Sequence, residues 1–316
     1  ALIYTNGAWG AWAQMVSLQT AIFTGFVLSL GASESTIAHF ISIGSFASLA
    51  QILSSALLAH RIKRKKAFVI AMGCLHTLFR FSIVLVPFIT ASHQVSLISI
   101  LIGLGMVSWH LAGPIFSGWN AHIIPEDIRA RFIGRQTMAH LLVGIVASYA
   151  AGWYLDLFDD TTKYTAFFAI FLVATLIGLG GFLNLSRVPF QTTESDNQTG
   201  SLLIPFQNPQ FRNLLIFFWA WNFAWSLSSP FYSVFMLKTL QISYSNVAIL
   251  TSLLMAAMVV GSQLLSGLID RYGSKAMLQI LTIPSIITPI FWTFNRPDFY
   301  WFIPVAMILN GLIFSG

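Results

Sequence analysis

Long apolar runs broken by short polar connectors dominate the chain. A twenty-residue window finds ten apolar helices, at about 7–30, 36–59, 67–90, 95–120, 132–157, 164–185, 213–238, 247–269, 276–295 and 299–316. Each run but the last has the roughly twenty or more residues needed to cross a hydrocarbon core of about 30 Å. The pattern therefore predicts an all-α, polytopic membrane protein. The final run stops just as it reaches spanning length and the first residue is alanine, so a chain trimmed at both ends is expected. No removable leader is visible, because the first run is too long and lacks a basic start.

Composition narrows the class further. Of 316 residues, 56% are apolar and 8% charged, against about a quarter charged in soluble domains. Disorder, coiled coil and secreted mini-protein are excluded. The single cysteine, Cys74, lies inside an apolar run and reads as packing. The charge behind the net +6 collects in the connectors, which points to topology and away from nucleic acid. Counting from the one after the first run, the even connectors hold twelve cations: Arg61, Lys63, Arg64, Lys65, Lys66, Arg129, Arg131, Arg135, Arg187, Arg212, Arg271 and Lys275. The odd connectors hold three, Lys163, Lys238 and Arg296. The positive-inside rule places the even connectors and the N-terminus in the cytoplasm of a cell with the protein in its plasma, or inner, membrane.

The connector at 186–212 carries the polar tract TTESDNQTGS and reads as a flexible cytoplasmic linker. It divides a six-helix bundle at 1–185 from a second bundle at 213–316, of which four helices are visible. An internal repeat supports the division. SALLAHRIKRKK at 55–66 and SGLIDRYGSK at 266–275 each run from a small residue through an apolar turn into a basic loop. In the second copy Asp270, Arg271, Gly273 and Lys275 form D-R-x-G-x-K, where glycine permits a tight turn and the charges suit adjoining helix ends.

These residues resemble the major facilitator superfamily, whose loop 2–3 signature G-x-L-x-D-R-x-G-R-K recurs in loop 8–9. The match is good from Asp270 onward, with Ser266 at the first glycine. In the first copy Ala59 stands at the aspartate, His60 at the arginine and Ile62 at the glycine. PEDIRARFIGR, with Arg129, Arg131 and Gly134, and PFQNPQFR before the seventh run add two further likenesses. The resemblance implies two six-helix bundles that rock around a cavity lined by runs 1, 4, 7 and 10. It also implies a cytoplasmic gate, here expected to rest on Asp270, Arg271, Gly273 and Lys275 with Arg129 or Arg131 as partners.

Polar groups at membrane depth are costly and need an account. Arg80 lies fourteen residues past Lys66, roughly 21 Å into the core at about 1.5 Å per residue, and His76 shares its face. An anion site or charge relay competes with a structural pairing to Glu34 or Asp156, or with snorkelling; the structural reading is preferred because the third helix is peripheral in the resembled family. The seventh run, FFWAWNFAWSLSSPFYS, gathers aromatics, an amide and a proline. Gln19, His110, Asn222 and Trp225 are the expected substrate contacts, hydrogen-bonding and aromatic but without fixed charge, so a neutral or amphipathic small organic solute fits best.

No carboxylate falls in the middle of any run. The chain is thus a facilitator, couples protons through His110 or His140, or relies on a carboxylate outside this sequence. GIVASYAAGWYLD stands where antiporters of the family carry a Gly-Pro-rich motif. No convergent catalytic set, metal-ligand cluster or phosphate loop occurs, so neither an enzyme nor a cofactor is expected. The expected function is secondary active or facilitative transport by alternating access. The alternative is a non-transporting sensor or scaffold that keeps the fold, favoured by the damaged first gate motif.

Overall fold

Helix boundaries follow polar punctuation in the sequence. The structure is a computed structural model and describes residues 1–55, 61–159, 162–190 and 204–315. The helices are α1 (Leu2–Val16), α2 (Ala21–Ser29), α3 (Glu34–Ala47), α4 (Ala50–Leu53), α5 (Lys65–Ile89), α6 (Gln94–Ile123), α7 (Glu126–Asp156), α8 (Lys163–Asn184), α9 (Ile204–Gln207), α10 (Pro209–Val234), α11 (Tyr244–Tyr272), α12 (Ser274–Thr293) and α13 (Phe302–Phe314). A π-helical turn, Phe235–Thr239, extends α10. Among the described residues no strand forms; one antiparallel bridge, Arg296 to Phe299, closes the turn before α13. The polar tract at 192–201, together with Ala59 and His60 of the first gate copy, lies outside the described residues.

Among the described residues eight helices are long and apolar enough to cross a membrane, counting α1 with α2, α3 with α4, and α8 with its 3-10 extension to Arg187. The two expected spans outside that set have physical reasons. The 26 residues of α10 are diluted by tryptophans, two asparagines and serines, and α13 begins only at Phe302 because the Arg296–Phe299 turn occupies the start of its apolar run.

Two expectations change. The first apolar run is not one helix: it breaks at Ser17–Thr20. Thr20 caps α2, its hydroxyl oxygen accepting from the Phe23 amide at 3.2 Å while its proton goes to the Ser17 carbonyl at 2.8 Å. Side-chain bonding of this kind offers the backbone an alternative to the helix ladder. The connector expected at 121–131 is also almost entirely helical. Pro125 ends the extended residue Ile124, and Glu126 and Asp127 then occupy the first turn of α7, where acidic side chains complement the helix dipole. Arg129 and Arg131 consequently lie on α7.

The chain forms two compact units. One holds residue 1, residues 32–132 and residues 182–232; the other holds 2–31, 133–181 and 233–316. The first is centred on the antiparallel pair α5 and α6, with Ile83, Val84, Val86, Ile98 and Ile102 buried along its seam. Gly73 lets the Phe182 ring lie against α5. In the second, Trp12, Phe23, Phe26, Leu155, Phe167 and Phe171 form the core, and small residues set the crossings. Gly10 touches the His140 backbone and Gly311 the Leu254 backbone, the close approach by which helices associate where no water drives them together.

Candidate functional site

Gln19 lies in the break between α1 and α2. Its side chain is exposed, and its carbonyl, released from the helix ladder, accepts a hydrogen bond from Ser233 Oγ at 3.2 Å. Ser233 lies in the last turn of α10, two residues before the π turn that extends it, so the break in the first span meets the C-terminal end of α10. The break is invisible to a window that averages hydropathy; its signal is the polar run Ser17-Leu-Gln-Thr20 within an otherwise apolar span.

The other three expected contacts belong to the first unit. Asn222 is exposed on α10, and its amide nitrogen donates to the Phe218 carbonyl of its own helix at 2.7 Å, leaving its side-chain oxygen as the group offered outward. Trp225 is half-buried with its ring 5.9 Å from that of Tyr232. Tyr232 donates to Ser228 Oγ at 3.2 Å, and Ser228 donates to the Trp225 carbonyl at 3.3 Å. Pro230 has no amide hydrogen for the Ser226 carbonyl and so loosens the helix inside this cluster. His110 is half-buried on α6, next to Trp109, whose ring contacts those of His76 and Phe182.

Arg80 and His76 are buried, at 4% and 2% exposure, which removes snorkelling as the account of Arg80. His76 Nδ1 lies 2.7 Å from the Gly105 carbonyl and Arg80 donates to Met106 Sδ at 3.7 Å, so both side chains bind α5 to α6. Asp156, one of the two expected partners of Arg80, is engaged elsewhere: its carboxylate accepts from the amides of Tyr244 and Ser245 at 2.9 Å each.

Of the expected gate residues, Gly273 has φ +83° and donates to the Ile269 carbonyl at 2.8 Å, ending α11 and starting α12 in one residue. A side chain there would be strained, which explains the glycine of the motif. Asp270, Arg271 and Lys275 are exposed, and the Arg271 guanidinium sits 5.2 Å from the centre of the Tyr272 ring. Arg129 donates through Nε and Nη2 to the Ile124 carbonyl, at 3.3 Å each, and lies 3.7 Å from Glu126. It therefore caps the C-terminal end of α6. Arg131 is exposed. Among the described residues no group of three or more His, Cys, Asp or Glu side chains could hold a metal ion.

Eight membrane-length apolar helices among the described residues, one of them interrupted and bonded at its break to α10, define a multi-pass membrane protein with the fold of a transporter. The Major Facilitator Superfamily profile matches residues 4–316, and the chain belongs to that family. Its fold is similar to that of the nucleoside transporter NupG, with TM-score 0.64 and 13% identity over 99% of this chain and 77% of that one; a point mutant of NupG gives 0.73. It is similar also to the xylose transporter XylE from E. coli in a partially occluded inward-open conformation, with TM-score 0.64 and 12% identity over 99% of this chain and 80% of that one. A D-xylose-proton symporter gives 0.63 at 15% identity, over 99% and 79%. No curated protein sequence matches the chain.

Proposed function

We infer that the protein moves a small, neutral or amphipathic organic solute across the plasma membrane by alternating access, as a facilitator or a secondary active carrier. Its halves are the bundles at 1–185 and from 213 onward, joined by the 186–212 linker, with the N-terminus in the cytoplasm. The observation that carries this reading is the meeting of the α1–α2 break with Ser233 in the last turn of α10. A helix broken within an apolar span exposes backbone polar groups, and transporters place substrate sites at such breaks. Gln19 and Asn222 supply hydrogen bonds and Trp225 an aromatic face, and none of them carries a fixed charge. Proteins with this fold include ones named for nucleosides and for xylose, the latter also as a proton symporter. Proton coupling here would fall to His110 or His140.

The reading is tested by thermal-shift screening of the purified full chain against nucleosides, pentoses and other uncharged solutes at two pH values. A ligand that stabilises the protein in proportion to its occupancy, with the shift lost in Trp225→Ala and reduced in Asn222→Ala, is the expected result. A stabilising ligand indifferent to both substitutions would remove these residues from the site. The second reading, a sensor or scaffold, draws on Ala59 at the aspartate of the first gate motif; it predicts ligand binding without movement of solute.

A further inference from the structure

The N-terminus of α11 is held by a residue 88 positions away. A helix begins with four amides that lack partners in the helix itself. In α11 these are the amides of Ser243 to Asn246, because the Val247 amide already makes the first helical bond, to the Ser243 carbonyl; Asn246 donates to Ser243 Oγ. Tyr244 and Ser245 both donate to Asp156 at the last turn of α7, one to each carboxylate oxygen. Ser245 Oγ adds a third bond to Asp156 Oδ2 at 2.5 Å. The carboxylate thus caps a helix that lies beyond the 186–212 connector in the sequence.

Shape repeats what charge does. One turn before Asp156, Gly152 lies under the same backbone: a Cβ there would sit 2.7 Å from the Tyr244 carbonyl oxygen and 3.0 Å from the Ser245 nitrogen. The Tyr244 ring runs over Gly25 of α2, where a side chain would strike its hydroxyl. The ring meets Phe167 of α8 edge-on at 6.1 Å, with Lys163 Nζ 5.8 Å from its centre. Three elements from the N-terminal part of the chain, α2, α7 and α8, therefore form a socket for one residue at the tip of α11. Asp156 is itself exposed. Water can replace its bonds as they break, which distinguishes a contact that opens reversibly from a buried one that would leave a bare charge.

Given the alternating-access reading, on which this rests, we propose that the Asp156 cap and the Tyr244 socket are a latch that closes the face of the transporter opposite its basic loops. Closing seats Tyr244 against Gly25 and Gly152 and hands the two α11 amides to Asp156; opening returns both partners to water.

The latch is tested by measuring distances between spin labels at Leu157→Cys and Asn246→Cys, both exposed positions flanking the contact, in the full chain with Cys74→Ser. The parent protein should show a short and a long distance. Asp156→Ala should raise the long-to-short ratio by about tenfold or more, the scale of hydrogen bonds to a charged group. Asp156→Asn and Ser245→Ala should raise it less, and Gly152→Leu should abolish the short distance. Two distances in the parent with ratios unmoved by Asp156→Ala and Gly152→Leu would overturn the latch while leaving alternating access intact. A single distance in the parent, unchanged by every substitution and every ligand, would overturn both.

Discussion

His76 shows how a buried polar side chain at membrane depth is made affordable. Its Nδ1 faces a carbonyl, which only accepts, so that nitrogen carries the proton, and the bond joins α5 to α6 where Gly105 brings the backbones close. His76→Ala should destabilise the protein by about 1 kcal/mol or more, lowering the thermal midpoint of the detergent-solubilised chain. His76→Asn, whose amide nitrogen can occupy nearly the same place, should recover part of the loss. Equal midpoints for the two variants would show that packing alone sets the cost. The sequence made the shared face of His76 and Arg80 legible, because helical spacing suffices for that. It did not reveal that both side chains are spent on α6, since a partner 26 to 29 positions away leaves no local mark. The turn at Gly273 was legible for the opposite reason: a left-handed φ is a local demand that glycine meets at no steric cost.

Hydropathy located the helices well, because the lengths of apolar runs are fixed by the bilayer. It failed at interruptions. The break at Ser17–Thr20 arises from hydroxyl capping by Thr20, and α7 begins earlier than its apolar run because Pro125, Glu126 and Asp127 favour a helix start regardless of hydropathy. Helix crossings depend likewise on particular small residues. Gly10 faces the His140 carbonyl so closely that even a methyl group must displace one of the two backbones. Gly10→Ala should therefore cost about 1–3 kcal/mol, as overpacking does, and lower the midpoint by several degrees. Gly118→Ala, with open space around it, should leave the midpoint unchanged. A Gly10→Ala protein as stable as its parent would mean that α1 and α7 do not pack this closely.

At the scale of the whole molecule, family membership and fold establish a multi-pass membrane protein built as a transporter. The candidate site was legible only in part. Gln19 was chosen as a polar side chain in a span, whereas its more telling feature is a carbonyl freed by a helix break and bonded to Ser233. No property of Ser233 itself distinguishes it from the other serines of α10, so its role emerges only when the broken first span and the end of α10 are placed together. The proposed uncharged solute rests on the uncharged character of Gln19, Asn222 and Trp225. The most direct measurement is uptake into sealed vesicles holding the purified full-length protein, loaded with an unlabelled solute that stabilises it and supplied outside with the same solute in labelled form. Alternating access predicts saturable, counterflow-accelerated entry of label, reduced at least tenfold in Trp225→Ala. Label entry no faster than into protein-free vesicles, from a protein that still binds the solute, would contradict transport and leave a sensor in its place.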